Sequence, residues 1–270
     1  MPELPEVETT RRGIAPFVEG RVVTRVILRR HTLRWPIPRA IEAQLPGRRI
    51  DTVERRAKYL LLHTDGGAAL IHLGMSGSLR ITDPDAPWRK HDHYEFVLDP
   101  GRALRFNDPR RFGCLLWQKP GEVHPLLRHL GPEPLGDEFD GDVLWTASRG
   151  HHAAVKSFLM DQSIVVGVGN IYASEALFMA RVHPRRAAGR VSRERYARIA
   201  AAIRGVLSYS IARGGTTIRD FIAPDGEQGH FEQELQVYGR AGEPCKICGT
   251  PIKSAVIAQR TTYWCPHCQH

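Results

Sequence analysis

The chain has 270 residues and a net charge of +9, which gives an isoelectric point near 9.6. That length holds two domains with cores of their own, and 42% hydrophobic with 25% charged residues is ordinary globular composition rather than a disordered or fibrous one. There is no run of 18 apolar residues to span a membrane, the acidic, proline-containing start does not read as a secretory signal, and a balance this basic points to a polyanionic partner, most often nucleic acid. The expected compartment is the cytoplasm.

Residues 3–18 predict a helix. Pro5 falls in its first turn, where its missing N–H costs nothing, and Glu3, Glu6 and Glu8 complement the positive end of the helix dipole. Val7, Ile14 and Val18, with the stem of Arg11, recur at helical spacing on one face, and Gly20 closes the segment. The pattern then changes to short strands at 21–29, 49–54, 59–64, 68–73, 78–82, 94–98, 103–107 and 114–118. Turn signals such as Asp65-Gly66-Gly67 and Asp99-Pro100-Gly101 separate them. Such spacing predicts a β-sandwich or barrel, interrupted by a short helix near 38–45 that carries Ile41 and Leu45.

Residues 131–142 are acidic, rich in proline and glycine, and carry little that packs. They are read as a linker between an N-terminal domain, 1–130, and the C-terminal half. Beyond it the period is helical at 143–149, 151–160, 170–180 and 192–214, the last with Ser192 as N-cap. Residues 215–238 read as mostly irregular and complete a second domain, 143–238. The remainder, 239–270, is too small to fold on burial alone.

That last module has its own signal. Cys245 and Cys248 form one Cys-x-x-Cys knuckle, Cys265 and Cys268 a second, with sixteen residues between them. Four thiolates at this spacing predict a tetrahedral structural Zn²⁺. Between the knuckles a two-strand hairpin would present Lys253, Gln259, Arg260, Thr261, Thr262 and Tyr263, a polar, basic tip suited to phosphates. Cys114 stands alone in an apolar run and reads as a buried core thiol.

Other stretches carry chemistry of their own. Removal of the initiator Met1, common before a small residue, would leave Pro2 as a secondary amine with a pKa of about 8, neutral in part near pH 7. Such an amine attacks an electrophilic carbon and gives an iminium ion that stays charged. Glu3 lies beside it, although Pro2-Glu3 serves equally as a plain helix start. Met75, between glycines in His72-Leu73-Gly74-Met75-Ser76-Gly77, would project from a turn. The turn Asn107-Asp108-Pro109-Arg110-Arg111-Phe112-Gly113 offers two arginines and an aromatic. Apolar wedges beside arginines hold open a base stack, and core packing is the alternative for Met75 and Phe112. The glycine turn Val166-Gly167-Val168-Gly169 runs into Asn170 at a helix start, a natural phosphate site, with Lys156 one short helix upstream.

Together, the opening Pro-Glu-Leu-Pro-Glu, Lys58 within Arg55-Arg56-Ala57-Lys58-Tyr59-Leu60, the two turns above, the stretch from Lys156 through Glu175 and the four-cysteine ribbon resemble bacterial formamidopyrimidine-DNA glycosylase. The resemblance runs nearly the whole chain in order. It implies an α+β protein of two domains: an N-terminal β-sandwich with a leading helix, and a C-terminal helix–two-turn–helix bundle with a zinc finger. Duplex DNA would lie between them. It implies a base-excision repair enzyme that removes 8-oxoguanine and formamidopyrimidines and then cuts the strand as an AP lyase. One structural Zn²⁺ and no redox or catalytic cofactor are expected, in a monomer with no membrane partner.

Carried over by position, Pro2 resembles the nucleophile, Glu3 the general acid–base and Lys58 a lysine that contacts phosphate and assists proton transfer. Met75, Arg110 and Phe112 resemble the side chains that fill the gap left by a flipped base. Asn170 and Arg260 resemble phosphate clamps, and His91, Arg111 and Lys156 further DNA contacts. The loop 219–230 corresponds to one that covers the flipped purine. Leu4, Met75, Arg110 and Phe112 favour this family over its sister, the endonuclease VIII-like glycosylases for oxidised pyrimidines. A non-catalytic damage-binding protein and a zinc-ribbon RNA enzyme are the other readings.

Overall fold

The structure is a computed structural model and describes residues 2–215 and 234–270. The chain divides into two compact units, the first built from 2–128 with 213–215 and the second from 129–212 with 234–270.

In the first unit, helix α1 (Leu4–Val18) buries Leu4, Val7, Ile14 and Val18 along one face, as the spacing predicts. Eight strands come next: β1 (Val23–Leu28), β2 (Thr52–Arg56), β3 (Tyr59–Thr64), β4 (Gly67–His72), β5 (Ser78–Thr82), β6 (Asp92–Leu98), β7 (Arg102–Asn107) and β8 (Cys114–Gln118). They form two four-stranded antiparallel sheets, ordered β1-β6-β7-β5 and β2-β3-β4-β8. Alternation decides which side chains meet. Tyr94, Phe96, Leu104 and Phe106 of one sheet share a core with Leu60, Leu62, Ile71 and Leu115 of the other, and α1 and the short helix α2 (Arg39–Gln44) pack into it. Each such residue contributes about 1.5–3 kcal/mol by leaving water. On the opposite face of β6 and β7, Glu95 faces Arg105 across the ladder. Arg105 is buried there, bonded to Glu95 and to the carbonyls of Ala86 and Pro87, with Trp88 over its guanidinium at 4.3 Å. A charge so buried is tolerated because its donors are occupied. Cys114 is buried, and burial pushes its thiol up to about 12. The unit's main body ends in a short helix, α3 (Pro125–Arg128).

In the second unit, α5 (Val155–Leu159) and α7 (Arg193–Ala212) pack on α6 (Asn170–Met179), whose residues 171–178 are all buried, and α4 (Gly141–Ser148) packs on α7. A helix apolar on every side belongs in a core. Ser192 caps α7 through the Arg195 N–H at 3.3 Å. The zinc module adds a hairpin of β9 (Lys253–Ile257) and β10 (Arg260–Trp264).

Three local expectations shift. Residues 151–154 are not helical: Ala154 bridges Ala187, and Val155 N–H donates to Arg186 O, so pairing replaces the first helical turn. The second strand runs Thr52–Arg56 rather than 49–54, because Arg49 is drawn into a bridge with Val22. Residues 131–142 pack, contrary to the expectation of a loose linker. Phe139 is 0% exposed, Gly131 N–H donates to Gln162 O, and Arg204 binds the carbonyls of Gly136 and Phe139. The expected purine-covering loop at 219–230 lies outside the described residues. Among the described residues no helix is long and apolar enough to cross a membrane.

Candidate active site and nucleic-acid interface

Pro2 and Glu3 lie at the N-terminus of α1, both buried, Glu3 at 3% exposure. The Glu3 N–H donates to Glu6 Oε2 at 2.8 Å, which fixes the first turn. Lys58 is reached from the same helix by a short chain of bonds. Glu8 accepts from Arg55 Nε at 3.2 Å, and Arg55 Nη1 donates to Ala57 O at 3.0 Å. Ala57 has φ 53, which makes the turn that presents Lys58 at 7% exposure. Burial alone would raise the Glu8 carboxyl. Hydrogen bonds from Arg11 and Arg12 and the charges of Arg11 and Arg55 outweigh it, so Glu8 sits below the ordinary carboxylate range.

The two turns of the first unit converge on one carboxylate. Asp108 is fully buried and accepts from Ser76 Oγ at 2.7 Å, Arg110 N at 3.2 Å and Gly113 N at 2.8 Å. Its backbone N–H donates to His91 O at 3.0 Å, and its carbonyl lies 2.7 Å from His93 Nε2. Asp108 therefore holds the segments that carry Met75, Arg110, Phe112 and His91. The turns also touch directly: Gly74 has φ 67, and a Cβ there would stand 2.4 Å from the backbone of Phe112 and Gly113. Only glycine fits. Above this base Phe112 is 45% exposed, with the Arg110 guanidinium 5.0 Å over its ring. Arg111, at φ 55, is exposed beside them.

A cavity of about 810 Å³ opens here, lined by Arg34, His72, Met75, Arg110, Arg111 and Phe112 among others. His72 is held down to about 4, first by burial and then by the charges of Lys58 and Arg34. It is neutral at pH 7. Its Nδ1 accepts from Gly74 N–H at 2.9 Å, so the proton is on Nε2, available to an anionic ligand.

The second unit is organised on a buried cation. Lys156 is 1% exposed, and its Nζ donates to Asn170 Oδ1 at 2.5 Å, Thr262 Oγ1 at 2.7 Å and Thr261 O at 3.3 Å. Asn170 Nδ2 also donates to Thr261 O, at 3.1 Å. The ammonium thus joins α5, the N-terminus of α6 and the zinc hairpin. The glycine turn before Asn170 is braced by Gln162, whose Oε1 accepts from Gly167 N–H at 2.9 Å. Arg260 is exposed, just after the hairpin tip formed by Ala258 and Gln259 at φ 46 and 62. Glu175 of α6 accepts from the N–H groups of Gln236, Val237 and Tyr238 at 2.8–3.0 Å, which fixes Tyr238 against Tyr263. Its carboxyl is raised, burial outweighing those three amides.

The sulfurs of Cys245, Cys248, Cys265 and Cys268 all lie within 4.8 Å of one another, with Cys245–Cys268 at 4.0 Å and Cys248–Cys265 at 3.5 Å. A tetrahedral Zn²⁺ with bonds of about 2.3 Å needs sulfurs roughly 3.8 Å apart, so this donor set fits one ion. The N–H groups of Ile247 and Cys268 point at the Cys245 and Cys265 sulfurs.

Comparison with known proteins decides the family. Residues 1–115 match the formamidopyrimidine-DNA glycosylase N-terminal domain, 130–222 its H2TH domain, and 242–270 the zinc finger found in FPG and IleRS. The chain belongs to the formamidopyrimidine-DNA glycosylase family. A formamidopyrimidine-DNA glycosylase of Stenotrophomonas maltophilia is 65% identical over 269 residues, covering all of both chains. A Lactococcus lactis FPG mutant in complex with a Fapy-dG containing DNA superposes with TM-score 0.92 at 33% identity, covering 100% of each chain. MutM in complex with carbocyclic 8-oxo-G containing DNA superposes with TM-score 0.91 at 33% identity, again over 100% of each. The fold is thus the family's α+β architecture, with two β-sheets, the H2TH domain and a four-cysteine zinc finger.

Several residues of this site carry no functional signal in the sequence. Ser76 stands in a turn that is notable for its neighbours, Glu8 reads only as a complement to the helix dipole, and Gln162 and Glu175 lie inside the stretch from Lys156 through Glu175 without a site role of their own. Only Asp108 leaves a trace, an Asp-Pro turn start whose carboxylate commonly bonds the backbone two residues on.

Proposed function

We propose that this protein excises oxidised purines, 8-oxoguanine and formamidopyrimidines, from duplex DNA and then cleaves the strand as an AP lyase, with Pro2 as nucleophile. The observation that carries the reading is the buried Pro2–Glu3 end of an anchored helix in a chain that matches the family from end to end. Relatives held on Fapy-dG and 8-oxo-G DNA support the substrate class.

The damaged nucleotide is flipped out at a cost of a few kcal/mol. Met75, Arg110 and Phe112 offset it by filling the gap, and Asn170, Arg260, His91 and Arg111 hold the backbone. With Met1 removed, the Pro2 nitrogen attacks the sugar C1′ while Glu3 protonates the ring oxygen, so the C1′–O4′ bond breaks and the sugar ring opens. The nitrogen lone pair, freed by loss of the amine proton, then expels the base, which leaves with the glycosidic electron pair and takes up that proton. The resulting iminium draws electrons from C2′. Loss of a C2′ proton expels the 3′ phosphate, and a second elimination expels the 5′ phosphate. Lys58 contacts phosphate near the lesion and assists proton transfer. Lys156 acts through Asn170 and the hairpin, since its ammonium is consumed inside the unit. Cys245, Cys248, Cys265 and Cys268 would hold the Zn²⁺, and four thiolates would complete a tetrahedral shell, which suits a structural ion. The protein works as a monomer in the cytoplasm, on chromosomal DNA.

Borohydride separates this enzyme from a damage-binding protein with the same clamp. A duplex with 8-oxoguanine opposite cytosine should yield a covalent adduct with the Met1-free protein. The same protein with Met1 retained, so that the Pro2 nitrogen is an ordinary amide, should give none while still binding DNA. Tight binding without any adduct, from protein of confirmed Pro2 terminus, would reject the lyase reading.

A further inference from the structure

The second unit carries a cluster of cations that the mechanism above does not use. In the ten residues from Arg181 to Arg190 there are four arginines, Arg181, Arg185, Arg186 and Arg190. Among the described residues none of the four has a carboxylate within ion-pairing distance. Like charges crowded this way repel one another unless an anion joins them. The loop also encloses space: His183, Arg185, Arg186, Arg190 and His270 line a recess of about 650 Å³.

The recess is built rather than fortuitous. His183 packs edge-on against Trp264 at 5.3 Å, and the Arg185 guanidinium lies 5.8 Å from the same ring. The backbone is tied at both ends. His183 N–H donates to His270 O at 3.1 Å, and Arg195 Nη1 donates to that same oxygen. Arg185 N–H donates to His183 Nδ1 at 3.2 Å. That bond leaves the ring proton on Nε2. Burial, followed by Arg185 and Arg186, lowers His183 below its ordinary value, so the ring is a neutral donor at pH 7. A neutral N–H donor among guanidinium forks suits phosphate oxygens.

The recess is coupled to the DNA clamp. Pro184 O accepts from Lys156 N–H at 3.3 Å, and Arg186 O accepts from Val155 N–H at 2.7 Å. The arginine loop therefore pairs with the first residues of the helix whose lysine holds Asn170.

We propose that the loop from Arg181 to Arg190, with His183, is a second phosphate site that takes a backbone phosphate of duplex DNA beyond those held by Asn170 and Arg260. The proposal rests on the reading of this chain as a DNA-binding protein. It makes the DNA footprint longer than the lesion clamp alone requires.

The test uses the full, zinc-loaded chain and a non-cleavable abasic analogue in two duplexes, one just spanning the lesion clamp and one about ten base pairs longer on each side. The variant is Arg185→Gln with Arg186→Gln. On the long duplex the slope of log affinity against log salt should fall by about 0.9 for each phosphate that the variant no longer binds, with several-fold weaker affinity. On the short duplex wild type and variant should agree. An equal slope for both proteins on the long duplex overturns the site as a DNA contact. Failure of the wild type to bind the short duplex would instead reject the DNA-binding reading itself. A parallel titration with inorganic tripolyphosphate follows the His183 ring by NMR. A His183 response to tripolyphosphate without any change on the long duplex would assign the recess to a free polyphosphate and overturn the DNA assignment.

Discussion

Asp108 and Lys156 do the same job with opposite charge. Each is buried, and Asp108 accepts hydrogen bonds from, and Lys156 donates them to, neighbours that present exposed groups. Asp108 draws mostly on its own turn, bonding Arg110 and Gly113 two and five residues on, with Ser76 as its distant side-chain partner. Lys156 reaches across 106 residues to Thr262 and depends on a hairpin that cannot stand without its metal. The first hub is a self-contained turn. The second exists only once α5, α6 and the zinc module have assembled. The sandwich turns should therefore survive damage that dismantles the clamp.

The largest effect sharpens this contrast. Removing Zn²⁺ with a chelator, or replacing Cys265 by Ser, should unfold 239–270, since structural zinc sites carry about 10–16 kcal/mol of apparent binding energy. Lys156 is then left without Thr261 and Thr262. DNA affinity should collapse, while hydrogen exchange at the Arg110 and Gly113 amides stays slow. Equal loosening of both regions would break the comparison.

Next come the hubs themselves. Asp108→Ala strands the Gly113 amide and the Ser76 hydroxyl in the interior, leaves the Arg110 N–H only its 3.3 Å bond to Ser76 Oγ, and should cost about 2–6 kcal/mol in denaturant unfolding. Lys156→Met, of similar shape, should leave the sandwich intact and weaken DNA binding by roughly 5–150-fold, the span of an ordinary coupling energy. If Lys156→Met binds as wild type does, the hub is packing and nothing more.

A smaller effect comes from pH. His72 has a folded value of about 4 against 6.5 when free. Below pH 6.5 the unfolded chain takes a proton that the folded chain refuses, so the stability present above pH 6.5 drains away as pH falls toward 4. The loss approaches roughly 3 kcal/mol at its end. His72→Asn should flatten that part of the stability profile relative to wild type, other carboxylates titrating equally in both. The smallest effect belongs to an exposed tip. Phe112→Ala should shift stability by no more than about 0.5 kcal/mol, yet lower the excision rate measurably, because its ring works only on DNA.

Much of this is legible in the sequence. The period of Val7, Ile14 and Val18 marks α1, alternation marks most strands, and the spacing of Cys245, Cys248, Cys265 and Cys268 marks the metal site. The illegible part depends on distant pairing. The start of α5 misleads because Ala154 finds a bridge with Ala187 that local propensity cannot foresee. Residues 131–142 read as loose because their composition is that of a tether, yet one aromatic, Phe139, is enough to pin them. Lys156, a DNA contact by resemblance, gives no sign of its burial because lysine is rarely buried, and its acceptors stand up to 106 residues away.

The central claim is that Pro2 performs the chemistry that these hubs serve. The direct measurement is to trap the protein on 8-oxoguanine DNA with borohydride, digest it and locate the modified residue by mass spectrometry. The sugar remnant should sit on the Pro2 nitrogen of a chain lacking Met1. A remnant on the Lys58 amine, or a trapped chain still carrying Met1, would contradict it.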